Sequence, residues 1–120
     1  MDTPYEEISI PIKIKSRNQI DRLHWGAKSR LKKQYQLLIN NQMKLNKIKK
    51  ATPDDKYVIT IASYRKRLID YDNIDLKQLL DALVNVGFIW DDSPKYIPKQ
   101  FKSQIKDKDE RTLITRYAIP

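Results

Sequence analysis

Asp70, Tyr71, Asp72 and Asn73 open an acidic segment that Asp91 and Asp92 close. If residues 68 to 72 run extended, continuing a strand before them, Asp70 and Asp72 project to the same side with their backbones ~6 to 7 Å apart. Their carboxylates can then converge on one cation, whereas the same spacing in a helix turns them ~200° apart. Asp92 rejoins the pair if the chain turns at Gly87 and doubles back along Phe88 to Trp90. Three carboxylates without His or Cys form a hard-oxygen set of the kind that holds Mg²⁺, or Mn²⁺ in its place. Such an ion polarises a phosphoryl oxygen and lowers the pKa of a bound water that attacks in line. The same residues also suit a simpler duty: Asp72 or Asn73 can cap a helix, and Asp91-Asp92-Ser93-Pro94 is a good turn sequence. A calcium EF-hand is excluded, because the sixth position counted from Asp70 is Asp75 where Gly is needed, and the twelfth is Asp81 instead of Glu.

The surrounding charge gives these acids their interest. The chain has 120 residues, and its 24 Lys and Arg against 15 Asp and Glu leave a formal net charge of +9. Residues 71 to 92 hold 5 acidic residues and 1 basic one, so the remainder is more basic than the total suggests. A basic excess favours an anionic partner, of which nucleic acid is the commonest. Candidate phosphate contacts are Arg65, Lys66 and Arg67 just before the acids, Arg22 and His24 in a basic and aromatic cluster, and Lys28, Arg30, Lys32 and Lys33 at the start of a helix. Each has a plainer alternative: a solvated strand end, a structural histidine, a solvated helix face. Trp25, Phe88 and Trp90 read as core residues.

Composition removes several classes of chemistry. With no cysteine there are no disulfides, thiolate metal sites or thiol catalysis, and a single histidine disfavours a multi-His metal site or a Ser-His pair. Two glycines leave no room for a Gly-rich phosphate loop. The first ten residues are acidic and polar, and no apolar run approaches the ~20 residues of a membrane span. The expectation is a cytoplasmic protein with neither membrane contact nor a small-molecule substrate.

The elements that must position the acids read as one small α+β domain covering residues 1 to 120, with a mixed β-sheet and two main helices. Ile8, Ile10, Ile12 and Ile14 alternate as a first strand that Pro11 confines to an edge or bulge. Residues 16 to 27 read as a loop. From about Lys28 to Lys50, Leu31, Tyr35, Leu38, Ile39, Leu45 and Ile48 recur at helical spacing. Lys56 to Tyr64 is β-branched and aromatic, a second strand. Leu76, Leu79, Leu80, Leu83 and Val84 give a second helix over 73–86, with Gly87 placed to end it. Tyr96 and Ile97 make a short third strand, 99–111 a mobile charged loop, and Leu113, Thr115, Tyr117 and Ile119 alternate as the last strand.

The stretch from Arg67 to Pro94, RLIDYDNIDLKQLLDALVNVGFIWDDSP, resembles the signature of the RusA family of Holliday junction resolvases, phage-encoded relatives included. The matching elements are the basic run Arg65, Lys66, Arg67; the group Asp70, Asp72, Asn73; Lys77; Asp81, Ala82, Leu83; Gly87; and Asp91, Asp92. The resemblance implies a Mg²⁺-dependent endonuclease of recombination and repair, in a bacterial or phage-infected cell, that nicks four-way and other branched DNA in pairs as a homodimer. It places the metal ligands on Asp70, Asp72 and Asp92, with Asp91 as the substitute for Asp92 if the turn is reshaped. It also makes Lys77 the functional lysine, whose ammonium stabilises charge on the phosphate, although one extra residue separates it from Asn73. Symmetry gives a separate reason for a dimer, since two cuts related by a twofold axis need two sites in that relation. The competing expectations are a nonenzymatic basic DNA-binding module and a protein-interaction domain using the first helix.

Overall fold

A computed structural model describes residues 4–120. Residues 1–3, where the acidic N-terminal stretch begins, lie outside them. Strand β1 is Tyr5–Ile10, with Ile8 and Ile10 facing the core. It stops at Pro11, which cannot donate to a ladder, so the expected four-isoleucine strand is cut in half. Ile14 is still buried, but beyond the sheet.

The expected loop over 16–27 is instead helical at both ends. Ser16 and Gln19 form a reciprocal capping box, with Gln19 N–H donating to Ser16 Oγ at 3.2 Å and Ser16 N–H to Gln19 Oε1 at 2.9 Å. That box starts α1, Arg17–Asp21. Helix α2 follows over Trp25–Leu45, starting and ending earlier than the apolar periodicity suggests. Leu31, Tyr35, Ile39 and Met43 make its buried stripe at four-residue spacing. Leu45 falls off that stripe and is 74% exposed.

Strand β2 is Lys56–Arg65, alternating buried and half-buried along its length. Helix α3, Lys77–Val86, buries Leu79, Ala82 and Leu83 and ends as expected on Gly87, whose φ of 98° is the left-handed conformation glycine adopts most easily. The expected short strand at Tyr96 and Ile97 is a turn, and the expected mobile loop is strand β3, Lys99–Lys106. This is an edge strand with lysines at both ends and at Lys102, a pattern that looks like loop in sequence and in a sheet discourages pairing with another molecule. Strand β4, Arg111–Ile119, completes the sheet.

The strand order is β1-β4-β2-β3, with β2 and β3 parallel and the other pairs antiparallel. The turn between β3 and β4 crosses the end of β2, where Asp107 N–H donates to Arg65 O at 2.8 Å. The helices cover one face, over Ile8, Ile10, Ile59, Ile61 and Ile114. In β4 the inward side is Thr112, Ile114 and Arg116, the opposite phase from the expected Leu113, Thr115, Tyr117. The other face carries Val58, Thr60, Ala62 and Tyr64 beside Phe101, Ser103 and Ile105, with Leu113, Thr115 and Tyr117 across the ladder. A Cα radius of gyration of 14.0 Å fits one domain of this length. Among the described residues no helix is long and apolar enough to cross a membrane.

Arg116 is the deepest cation, 2% exposed. Its Nη1 donates to Phe88 O at 2.7 Å, its Nη2 to Lys49 O at 2.7 Å, and its Nε and Nη2 both reach Glu6 Oε1. The guanidinium carbon lies 4.8 Å from the ring centres of both Tyr57 and Phe88. One side chain thereby joins β4, the end of the α2 connection and the segment that follows α3.

Candidate functional site

The chain between β2 and α3 does not continue the strand. It bends at Lys66 and Arg67, and Gln104 of β3 then clamps Ile69: Gln104 Oε1 accepts from Ile69 N–H at 3.0 Å and Nε2 donates to Ile69 O. Next comes a 3-10 turn, Tyr71–Asn73, closed by Asn73 N–H donating to Asp70 O at 2.9 Å. Asp70 is extended while Asp72 lies inside the turn, so the expected same-side projection from one strand does not occur. The side-chain clamp occupies the backbone groups at Ile69 that a longer strand would have paired. Both acids are exposed, and Lys102 Nζ donates to the Tyr71 carbonyl between them at 3.0 Å.

Capping falls elsewhere. Asp70 precedes the 3-10 turn without a side-chain cap bond, and Asn73 Oδ1 accepts from Asn18 N–H of α1 at 3.1 Å. Helix α3 starts after Leu76, and Asp75 Oδ1 takes the Lys77 N–H at 2.9 Å. Asp75 thus relieves a free donor of α3, the part expected of Asp72 or Asn73, while Asn73 relieves one in the first turn of α1.

The chain turns at Gly87 as expected, but it does not bring Asp92 back to Asp70 and Asp72. After Gly87, Phe88 and Ile89 are fully buried, while Trp90, expected in the core, is 45% exposed. Ser93 O accepts from Tyr96 and Ile97 N–H, so the turn closes over residues 93–97, later than the turn expected over 91–94. Asp92 lines a cavity of about 460 Å³ together with Lys77, Asp75, Arg17 and Lys102, over a floor of Ile74, Leu76 and Leu80. Asp92 and Lys77 are therefore brought together, whereas Asp70 and Asp72 do not line this cavity. Among the described residues no three His, Asp or Glu side chains are grouped to hold a metal ion. The donor chemistry of Asp70, Asp72 and Asp92 fits a hard cation, but their positions do not form a three-carboxylate site.

A second cavity, about 480 Å³, lies at the end of β2 and is lined by Lys13, Ser16, Arg65, Lys66, Arg67 and Glu110 among others. Arg65 is buried, which corrects the expectation of a solvated strand end; Lys66 and Arg67 are exposed. Burial pulls the Arg65 guanidinium below its ordinary pKa, against the opposing pull of Glu110. Glu110 accepts from Lys66 N–H at 3.1 Å and pairs with Lys13 at 3.3 Å, and the Lys66 backbone donor chiefly holds its carboxyl below the usual range.

The remaining basic candidates, Arg22, His24, Lys28, Arg30, Lys32 and Lys33, line neither cavity. They surround the start of α2, where His24 occupies the cap position without a side-chain cap bond. Trp25 there is 84% exposed, not core. A Cβ at Gly26 would lie 3.7 Å from Arg30 Nη1 and 3.9 Å from His24 Nδ1, so these groups fold over the first turn of α2. Arg17, Asp75, Lys102 and Gln104 were not expected at the site. The Ser16-x-x-Gln19 box that contains Arg17 and an acid two residues before Lys77 are readable start signals; Lys102 and Gln104 required recognition of β3. No protein-family model and no curated protein matches the sequence.

Proposed function

We propose that this chain is a Mg²⁺-dependent, structure-selective DNA endonuclease of RusA type that cuts four-way and branched DNA as a homodimer. The observation that carries the reading is the setting of the acidic turn. Asp70 and Asp72 lie in the chain between residues lining the basic cavity and residues lining the Asp92 cavity, and the start of α1 contributes to both through Ser16 and Arg17. Cationic walls beside exposed acids are what a phosphodiester and a divalent ion need together. For Asp70, Asp72 and Asp92 to hold one ion, the acidic turn and the Asp92 segment would have to draw together when metal and DNA bind; the ion would then supply an activated water and a polarised phosphoryl oxygen. Lys77, Arg17 and Lys102 would hold the DNA phosphate.

The partner copy would sit on the uncovered sheet face. Its middle is apolar and hydroxyl-bearing, with Phe101 55% and Ile105 41% exposed, while Lys99, Arg111 stacked on Tyr64, and Glu7 beside Thr115 border it. A chain of net charge +9 repels its own copy over its basic surfaces, and the apolar middle of this face is where two copies can approach.

The separation of the carboxylates favours a second reading, a nonenzymatic DNA-binding module. Purified protein, a synthetic four-way junction and Mg²⁺ distinguish the two. The nuclease reading expects Asp70→Asn and Asp72→Asn to abolish cutting while retaining junction binding. Tight binding by the wild type without cutting in Mg²⁺ or Mn²⁺ selects the module.

A further inference from the structure

Arg65 is the least explained charge in the molecule. It is the last residue of β2 and 4% exposed, yet among the described residues no carboxylate lies within ion-pair distance of it. Its Nη1 donates to Ile14 O and Ser63 Oγ, while its Nε is buried without an acceptor. A buried cation is costly unless a counter-charge and acceptors meet it. By contrast, Arg116 has Glu6 and two carbonyls.

The cavity beside Arg65 has the matching deficit. Its one acid, Glu110, is already engaged by Lys13 and the Lys66 backbone, leaving the Arg65, Lys66 and Arg67 side chains without an anion. Ser16 and Gln19 also line it, but their mutual capping bonds already engage both side chains. From this geometry we infer that the cavity at the end of β2 binds a phosphate group, with Arg65 as its buried anchor and Lys66 and Arg67 closing over the exposed side. A tetrahedral oxoanion provides several acceptors at once and suits a guanidinium fork better than a halide does. The phosphate is either a free anion or a backbone phosphodiester of DNA. Only the second source rests on the proposed nuclease function, where it would seat a phosphate beside the Asp70–Asp72 turn instead of at the Asp92 cavity.

The test follows the Arg65 side-chain Nε–Hε resonance of the ¹⁵N-labelled full chain during titration with inorganic phosphate, against chloride at equal ionic strength, and separately with a short DNA duplex. The expected result is a saturable shift with phosphate and none with chloride. A matching shift with duplex identifies the backbone as a source, and its absence leaves the free anion as the ligand. Arg67→Ala, which leaves the buried anchor in place, is expected to weaken phosphate binding about tenfold, the worth of one charge-assisted contact. An Arg65 resonance that ignores phosphate, or moves equally with chloride, overturns the inference. The junction assay is independent: an uncut junction with Arg65 still shifting refutes the nuclease and keeps the anion site, and the converse refutes only the anion site.

Discussion

Replacing Arg116 with leucine should loosen the segment that carries Asp92. The substitution leaves Phe88 O buried without its donor, which costs about 1 to 3 kcal/mol. Lys49 O is closer to solvent and loses less, about 1 kcal/mol, because water can take the donor's place. The ion pair adds little: the Glu6 side chain is 42% exposed, so its share is within the ~0 to 1 kcal/mol of a surface pair. Lost stacking on Tyr57 and Phe88 is offset in part because leucine needs no desolvation of charge. The net expectation is a loss of about 3 kcal/mol. For 120 residues that lowers the melting temperature by roughly 12 °C. Thermal and urea melts followed by circular dichroism measure it, with Glu6→Gln as the control expected to lose less than about 1 kcal/mol. If Arg116→Leu costs no more than Glu6→Gln, the guanidinium is not what joins β4 to the Phe88 segment, and the reasoning fails.

Tyr35 gives a pH signature. Its buried hydroxyl has no hydrogen-bond partner, and burial pushes its pKa from 10.0 up to about 12. Between those values the unfolded tyrosine ionises and the folded one does not, so stability is full below pH ~10 and falls as pH rises toward 12, by about 1.4 kcal/mol per unit. Tyr35→Phe should remove that component from urea melts taken across the window and cost nothing at neutral pH; an unchanged alkaline slope contradicts it. Gly87→Ala forces a side chain into φ 98° with its Cβ 3.0 Å from Lys50 Cγ, and should cost about 1 to 2 kcal/mol in the same melts. Phe101→Lys places charge on the uncovered sheet face and should turn a dimer into a monomer in light scattering without lowering the melting temperature of the monomer by more than about 0.5 kcal/mol in equivalent stability; a dimer that survives the change places the interface elsewhere.

What was legible in the sequence follows the one-sided elements. In β1, Ile8 and Ile10 alternate because only one face is buried, and Pro11 marked the edge. The leucines of α3 and Gly87 behaved the same way. In β4 the phase was misread because both faces carry apolar residues: Leu113 and Tyr117 face the uncovered side, while the core side carries Arg116, whose charge conceals its burial. Strand β3 was missed because it is an edge exposed along nearly its whole length, so no burial pattern marks it. That omission extended to the site. Without β3 there is no Gln104 to end the extended run at Ile69 and no Lys102 beside Tyr71, so Asp70 and Asp72 looked like partners on one strand. The reversal at Gly87 was readable, but its destination was not: Asp92 lies with Lys77 in one cavity, instead of with Asp70 and Asp72 as expected.

The central claim is that the acidic turn, set among cations, is a nuclease centre. Its most direct test incubates the purified wild-type chain with a four-way DNA junction at increasing Mg²⁺ and maps the products on a denaturing gel. The expected products are cuts on two strands at positions related by the junction's twofold axis, dependent on the metal and lost in Asp70→Asn. A junction that is bound, shifted and left intact at every Mg²⁺ and Mn²⁺ concentration contradicts it.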